Sequence, residues 1–300
     1  MKTEEVSINR VHEDGLRFYQ VTEGDKVIAK LPSVTTILGN TKDMSGLEKW
    51  KKRVGEAEAK RISELSMNRG TIMHRLIELY KSTSGSATER LKILKDLAKE
   101  DEEVNQFSEE DNGPLYLEEA WKFFYKFYFN SSDYFDRVVK VLEAETFLWT
   151  VKGGGWAGTV DNISKMVDNK VVIIDYKNSR RPKREDWIQD YFIQCGAYFI
   201  AYWDMTGIKA DGGEIWIANE EDNIPQCFTL TQSDLEFYSK QFIRRRKTFK
   251  ELKGKNEGYQ EDQNLADLVG GEASDMIKAL KKGDVRKALT YYKVIGKLLK

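Results

Sequence analysis

The sequence predicts an α/β fold: a small mixed sheet flanked by helices, with an inserted helical region ahead of it. Three observations carry this. From residue 115 the pattern runs helix, three strands in a meander, helix, strand, helix. The change from helical to alternating period falls at residue 138. The third strand of the meander holds the unbroken apolar run Val171-Val172-Ile173-Ile174, which suits a strand buried on both faces.

Taken in order, residues 1–44 read as a β-hairpin or meander. Leu16 to Val21 and Lys26 to Leu31 alternate around the turn Glu23-Gly24-Asp25, and Ser33 is placed to cap a short helix. Residues 45–137 read as a helical region, with Leu47, Trp50 and Val54 at helical spacing, further amphipathic stretches from Gly70 and over 88–99, and an aromatic-rich helix from Leu115 to Phe129. Within it, the acidic stretch 101–113, ending in Asn112-Gly113-Pro114, reads as a mobile loop. Residues 138–255 form the core. Strands are expected over Val138 to Thr150, Trp156 to Val167, Lys170 to Lys177 and Gly213 to Ala218, with a tight turn at Asp168-Asn169. Helices are expected over Arg184 to Asp204 and, capped by Ser233, over Ser233 to Leu252. Residues 256–300 form a Lys-rich extension with helical period from Ala273.

Composition removes several function classes. The 300 residues carry a formal net charge of −1, which excludes a uniformly basic binder, although local patches still set the field that a phosphate meets. Cys195 and Cys227 are the two cysteines, so a zinc ribbon, a four-Cys iron–sulfur cluster and a disulfide framework are not expected. No Walker loop or G-x-S-x-G element occurs, so no nucleotide cofactor and no serine triad is expected. No apolar h-region follows Met1 and no run reaches membrane-spanning length. The expectation is a cytoplasmic protein, of a bacterial or phage-infected cell, without a signal peptide or membrane contact.

The chemistry concentrates in one hairpin. Asp175 and Lys177 are two apart, so in a strand they face the same way. Pairing of the second and third strands brings Asp161 alongside. Two carboxylates and an ammonium at one end of a sheet suit phosphodiester cleavage. Hard oxygen ligands hold Mg2+, and the lysine orients water and offsets developing negative charge. The plain alternative is an exposed salt bridge, which explains most Asp-x-Lys pairs.

Gly158-Thr159-Val160-Asp161 followed by Ile174-Asp175-Tyr176-Lys177-Asn178-Ser179 resembles the core of the PD-(D/E)XK nucleases in their RecB-like branch. Gln194-Cys195-Gly196-Ala197-Tyr198 matches that branch's Q-x-x-x-Y helix, and Gly70 to His74 matches its upstream G-x-x-x-H. The opening, Arg17-Phe18-Tyr19 and Leu31 to Leu38, is similar to mitochondrial genome maintenance exonucleases and their phage relatives. The resemblance spans about residues 10 to 250. It departs from the branch members that hold an iron–sulfur cluster through four cysteines.

The resemblance implies a restriction-endonuclease-like core and assigns roles. Asp161 and Asp175 become metal ligands, with the backbone carbonyl of Tyr176, and Lys177 the water-orienting group. His74 becomes a further ligand, which suits Mn2+ as well as Mg2+; the plain reading of its spacing is a surface pair with Glu78. Glu145 is a candidate carboxylate for a second metal, with Glu143 on the same strand face as its competitor. Gln194 and Tyr198, one helical turn apart, would contact the scissile phosphate or the attacking water. Arg180, Arg181, Lys183 and Arg184, with Ser179, follow the catalytic strand and would meet flanking phosphates; a solvated charged loop explains them too. Arg244 to Lys247 reads as a helix face. The expected activity is a metal-dependent DNA exonuclease on single-stranded ends, in replication, recombination or repair, with a replication or recombination protein as a candidate partner. Helices over 45–130 arching above the site would make a single strand thread. An endonuclease on the same core, or a DNA-binding module with an inactive site, are the competing readings.

Overall fold

A computed structural model describes residues 6–130 and 134–256. These divide into two compact units, one drawn from the described residues up to Thr41, Val151–Gly158 and those from Arg245 on, the other from those between Lys42 and Thr150 and from Thr159–Arg244. Beyond residue 256 the expected Lys-rich extension lies outside the described residues.

In the first unit β1 (Val6–Glu13), β2 (Leu16–Glu23) and β3 (Lys26–Pro32) form an antiparallel sheet in the order β1-β2-β3. Asp14 and Gly15 both have positive φ, 51° and 74°, as a tight Asp-Gly hairpin turn requires. Ser33 caps α1 (Val34–Thr41), its Oγ accepting the Thr36 N–H at 2.9 Å. Two arginines expected on a helix face do lie on the helix over Gln232–Asn256, and they hold backbone. Arg246 donates to the carbonyls of Gly154 and Gly155, and Arg245 donates to that of Leu38, near the end of α1.

The second unit opens with five helices: α2 (Ser45–Val54), α3 (Glu56–Ser82), α4 (Ala87–Glu100), α5 (Glu102–Asn105) and α6 (Gly113–Tyr128). The sheet elements follow. They are β4 (Val138–Thr150), β5 (Trp156–Met166), β6 (Val171–Ser179), α7 (Gln189–Thr206), β7 (Gly212–Asn219), β8 (Gln226–Thr231) and α8 (Gln232–Asn256). The start of β5 and the last part of α8 belong to the first unit. The five strands run in the order β4-β5-β6-β7-β8, with β6 and β7 parallel and both β5–β6 and β7–β8 antiparallel. This is the mixed sheet that the apolar run Val171 to Ile174 calls for, since a parallel pair is covered on both faces. One face of β6 and β7 presents Ile174, Tyr176, Trp216 and Ala218 to a core built from α3, α4 and α6, in which Tyr80, Phe123, Phe124 and Phe127 are buried.

The structure corrects four expectations. The 101–113 stretch is folded: Val104 is buried, Phe107 meets Tyr116 edge-on, and the Asp101 carboxylate caps α5 while accepting from the Arg75 guanidinium at 2.8 and 3.0 Å. Its acidic composition hid two apolar anchors and a paired carboxylate. The helix expected from Arg184 begins at Gln189, after a single 3-10 turn over Glu185–Trp187, because Ile188 is drawn into the core. The cap of α8 is Thr231, whose Oγ1 accepts from the Asp234 N–H while Asp234 Oδ2 accepts from the Thr231 N–H; Ser233 lies inside the helix. Edge strand β8 was not anticipated, being short and mostly polar.

Gly196 marks a close approach of α7 to α8. A Cβ there would lie 2.4 Å from the Ser239 nitrogen and 2.6 Å from the Tyr238 carbonyl carbon of α8, both backbone atoms. Gly196→Ala should therefore lower stability to urea by about 1–3 kcal/mol, despite alanine's better helix propensity. Gly39→Ala in α1, where a Cβ would meet nothing within 4 Å, should be neutral or stabilising by about 0.5–1 kcal/mol. Equal effects at the two positions would contradict the packing account.

Candidate active site

The site begins where two strands part. The β5–β6 ladder pairs Lys165 with Val171 through to Asn162 with Ile174 and goes no further. One residue on, Asp161 faces β6, and its Oδ2 accepts the Tyr176 N–H at 2.8 Å. A side-chain carboxylate thus takes the backbone donor at the end of the hairpin, which fixes the carboxylate and satisfies the amide together. Asp175 lies opposite Asp161 by continuation of that register, so the two acids share a face. Lys177, two residues further along β6, comes back beside them. Its Nζ is 2.5 Å from Asp175 Oδ2 and donates to the Tyr176 carbonyl at 3.3 Å.

Asp175 is 1 % exposed, and neither of its carboxylate oxygens accepts a well-directed hydrogen bond. The Lys177 contact is charge proximity rather than an aligned bond. Burial therefore raises the Asp175 carboxyl to about 6, against the pull of Lys177 and with a further push from Asp161. Burial works the other way on the Lys177 ammonium, yet Asp175 and Asp161 outweigh it and hold the amine above its ordinary value. In this ion pair Lys177 is a cation and a donor. Its charge also lies 5.3 Å from the centre of the Tyr191 ring, a contact the sequence did not suggest.

Helix α3 supplies the imidazole. Gly70 lets it approach β6: a Cβ there would sit 2.5 Å from Asn178 Nδ2. One turn later His74 Nδ1 is 3.5 Å from Asp161 Oδ2 and 3.7 Å from Glu145 Oε1. Glu78, the surface partner that spacing offered His74, instead takes Arg75 at 2.6 Å. Burial disfavours a charged His74, but Asp161 and Glu145 more than compensate against Lys177, and the net direction is upward.

Glu145 reaches the cluster through an irregular backbone. Its φ is +45°, a conformation that non-glycine residues rarely adopt and that is rarer still inside a strand. The kink breaks the alternation of β4, so Glu143 and Glu145 no longer form the simple same-face pair that spacing suggested. It is Glu145 that stands by His74, while the Glu143 carbonyl accepts from Asn162 Nδ2. Strain of this kind persists where the surroundings hold it and concentrates at functional positions.

One ligand atom from each of His74, Glu145 and Asp161 lies within 4.8 Å of the others. Beside them stands the buried carboxylate of Asp175, ion-paired with Lys177 through Oδ2 and without a directed hydrogen bond. Hard oxygens with one imidazole fit Mg2+ or Mn2+, and such a buried carboxylate is the group that a bound cation would satisfy. A sequence profile of the PD-(D/E)XK nuclease superfamily matches residues 48–289. The chain belongs to this superfamily. It is a nuclease, a hydrolase of a class that generally uses divalent metals, and the family implies a DNA substrate. No curated protein matches it. Solved structures similar to it include a candidate exonuclease from Eubacterium rectale, with 15% identity and a TM-score of 0.39 over 56% of this chain and 68% of that one. Another is SSO0001, with 14% identity and a TM-score of 0.28 over 58% and 84%. Similarities at that level carry no argument about fold or activity.

The remaining expected residues of this nuclease fall into two groups. On α7, Gln194 and Tyr198 are buried, and Gln194 Nε2 donates to the Tyr198 hydroxyl at 3.2 Å. They share a stripe with Tyr191 and Cys195, at i, i+3, i+4 and i+7, and Tyr191 is the member that meets Lys177. After β6, the basic turn is balanced by acids. Arg180 lies 4.0 Å from Glu220, Arg181 3.3 Å from Glu221, and Arg184 2.9 Å from Asp186. All three arginine side chains remain largely exposed. The Lys183 backbone is pinned on both sides by the Gln226 side chain, and burial, then Lys42, lowers its ammonium pKa. Ser179 is buried, its Oγ donating to the Arg181 carbonyl and shaping the turn. Sequence reasoning missed Lys81, which donates to the Tyr176 hydroxyl at 2.5 Å, together with Arg69 and Asn178. Lys81 is seven residues after His74 and so falls on its helix face, which was the available signal.

Two stability effects follow in metal-free protein. Because the folded pKa of Asp175 is raised to about 6 from 3.8, its contribution favours folding fully below pH about 4. That contribution is lost as pH rises through about 6. In EDTA, Asp175→Asn should flatten the pH dependence of stability between 4 and 6, while at pH 7.5 relief of the buried carboxylate is set against the loss of Lys177's ion-pair partner. An unchanged pH dependence between 4 and 6 would mean that the Asp175 carboxyl does not titrate in that window. Glu145→Gly should relieve the backbone strain and keep or raise the metal-free midpoint, by about 1 kcal/mol, while weakening metal binding.

Proposed function

We propose that this nuclease is a divalent-metal-dependent DNA exonuclease of the RecB-like branch, acting on single-stranded ends in replication, recombination or repair. The observation that carries the metal-dependent reading is the Asp175 carboxylate. It is buried and without a directed hydrogen bond, flanked by the Lys177 ammonium and faced by Asp161 across the hairpin. Preference for ends, and for single strands, rests on the resemblance of the motifs.

On this reading His74, Glu145, Asp161 and Asp175, with the Tyr176 carbonyl, would hold the metal. When bound, such a cation lowers the pKa of water and offsets charge on the phosphate under attack. Lys177 is held protonated beside Asp175, so it donates: it orients the incoming water and offsets charge growing on the phosphate oxygens. A protonated lysine cannot also take the proton from that water, so a carboxylate of the cluster or a phosphate oxygen does so. Gln194 and Tyr198, bonded to each other and buried, orient groups on the α7 side of the sheet. Arg180, Arg181 and Arg184 exchange their carboxylate partners for phosphates of the bound strand, while Ser179 and Lys183 hold the turn that presents them. Exchanging an exposed ion pair costs little.

The test is digestion of end-labelled single-stranded, double-stranded and circular single-stranded DNA with Mg2+, Mn2+ or EDTA. Linear single strands should shorten progressively from an end, only with metal, and circles should resist. Lys177→Ala should slow the reaction by about 10²–10³-fold or more, and Asp161→Asn and Asp175→Asn should abolish it. Efficient cutting of circles would replace the exonuclease reading with an endonuclease on the same core. Cleavage undiminished in EDTA would remove the metal from the account.

A further inference from the structure

Arg69, directly before Gly70 on α3, is 1 % exposed. A guanidinium is tolerated at that depth only when its donors are paired, and each pairing here ties α3 to another element. Nε donates to Asn178 Oδ1 at 3.0 Å, at the end of β6. Nη1 donates to Glu220 Oε1 at 2.8 Å, just beyond β7, and lies 3.7 Å from Glu119 of α6. The group lies over the Phe123 ring, 4.0 Å from its centre. Asn178 is gripped further. Its Oδ1 also accepts from Ser66 Oγ at 3.2 Å, and its Nδ2 occupies the space that Gly70 leaves.

The location matters more than the bonds. Asn178 immediately follows Lys177, and Arg69 precedes His74 by five residues, about 7–8 Å along the same helix. The β5–β6 ladder has already ended at Ile174. Beyond the Lys81–Tyr176 hydrogen bond and the packing of α3 on Tyr176, it is this junction that ties the helix carrying His74 to the last residues of the strand carrying Asp175 and Lys177. We propose that Arg69 is a positioning residue of the metal site: by clasping α3 to the Asn178 end of β6, it sets the separation of His74 from Asp161 and Asp175. The proposal rests on the metal-dependent reading above. Lysine cannot replace it, because the clasp uses a planar fork pointing in two directions at once.

The experiment is Mn2+ titration of the full chain, followed by the EPR signal of free Mn2+. The proteins are wild type, Arg69→Lys, Glu220→Gln and His74→Ala, each checked for native circular dichroism. Kinetics are measured across Mn2+ concentrations. Arg69→Lys should bind Mn2+ about 10–100-fold more weakly, as loss of a group that orients a ligand does, and should regain most of its kcat at saturating Mn2+ with KM for DNA little changed. A purely structural role would lower the amount of folded protein and leave the metal dependence of the folded fraction unmoved. Glu220→Gln removes the clasp's charge from its more exposed end without opening a buried gap. It should shift Mn2+ binding in the same direction by less, and it decides the matter if Arg69→Lys does not fold. A folded Arg69→Lys, or failing that Glu220→Gln, with wild-type Mn2+ affinity overturns the clasp. Equal Mn2+ binding by wild type and His74→Ala overturns instead the metal site on which it rests.

Discussion

Three carboxylates, those of Glu145, Asp161 and Asp175, converge on one end of the sheet, and like charges so close repel unless cations and donors stand among them. Much of the local architecture answers that requirement. β6 supplies Lys177 and the Tyr176 N–H. α3 supplies His74 and, two turns later, Lys81. Burial drives the Lys81 ammonium down to about 7 even though Asp161 and Glu145 pull it upward, so the acidic cluster is what keeps that amine partly charged at depth. With all these in place Asp175 is still short of partners.

The scaffold explains why such a corner holds together. β6 is central and has a packed layer on either side. On one side the aromatic rings of α6 and α3 close on Tyr176 and Trp216, and on the other α7 brings Tyr191 over Lys177. Because β6 and β7 pair in parallel through Ser179, the end of β6 that carries Asp175 and Lys177 stays anchored after the β5–β6 ladder has ended. Among the described residues no helix is long and apolar enough to cross a membrane.

Much of this was legible in the chain. Period two put Asp175 and Lys177 on one face and the turn at 168–169 put Asp161 opposite, whereas the spacing of His74 pointed to a surface pair with Glu78 and only the motif resemblance brought it to the site. What was not legible depended on distant partners. Arg69 looked like any helix arginine because its acceptors, Asn178 and Glu220, are 109 and 151 residues away. Glu145 could not be separated from Glu143 because alternation assumes an ordinary backbone, and a φ of +45° voids the assumption. The acidic stretch after α4 looked unstructured because charge is visible in composition, whereas the pairing of Asp101 with Arg75 is not. The basic turn looked like a bare phosphate cradle because the acids facing it come from beyond β7.

The turn joining β5 to β6 has a bearing on how this chain can vary. Met166 N–H bonds to the Lys170 carbonyl, and Asn169, with φ of +66°, closes the loop in four residues. Surface turns ordinarily accept insertions and deletions. Here a net gain or loss of one residue, if taken up by slippage of the ladder, would rotate Asp161 to the opposite side of the sheet while the apolar pattern of β6 remained intact. Length at this exposed spot is therefore constrained by chemistry several residues away, and descendants of this chain are free to change the letters of the turn far more readily than their number.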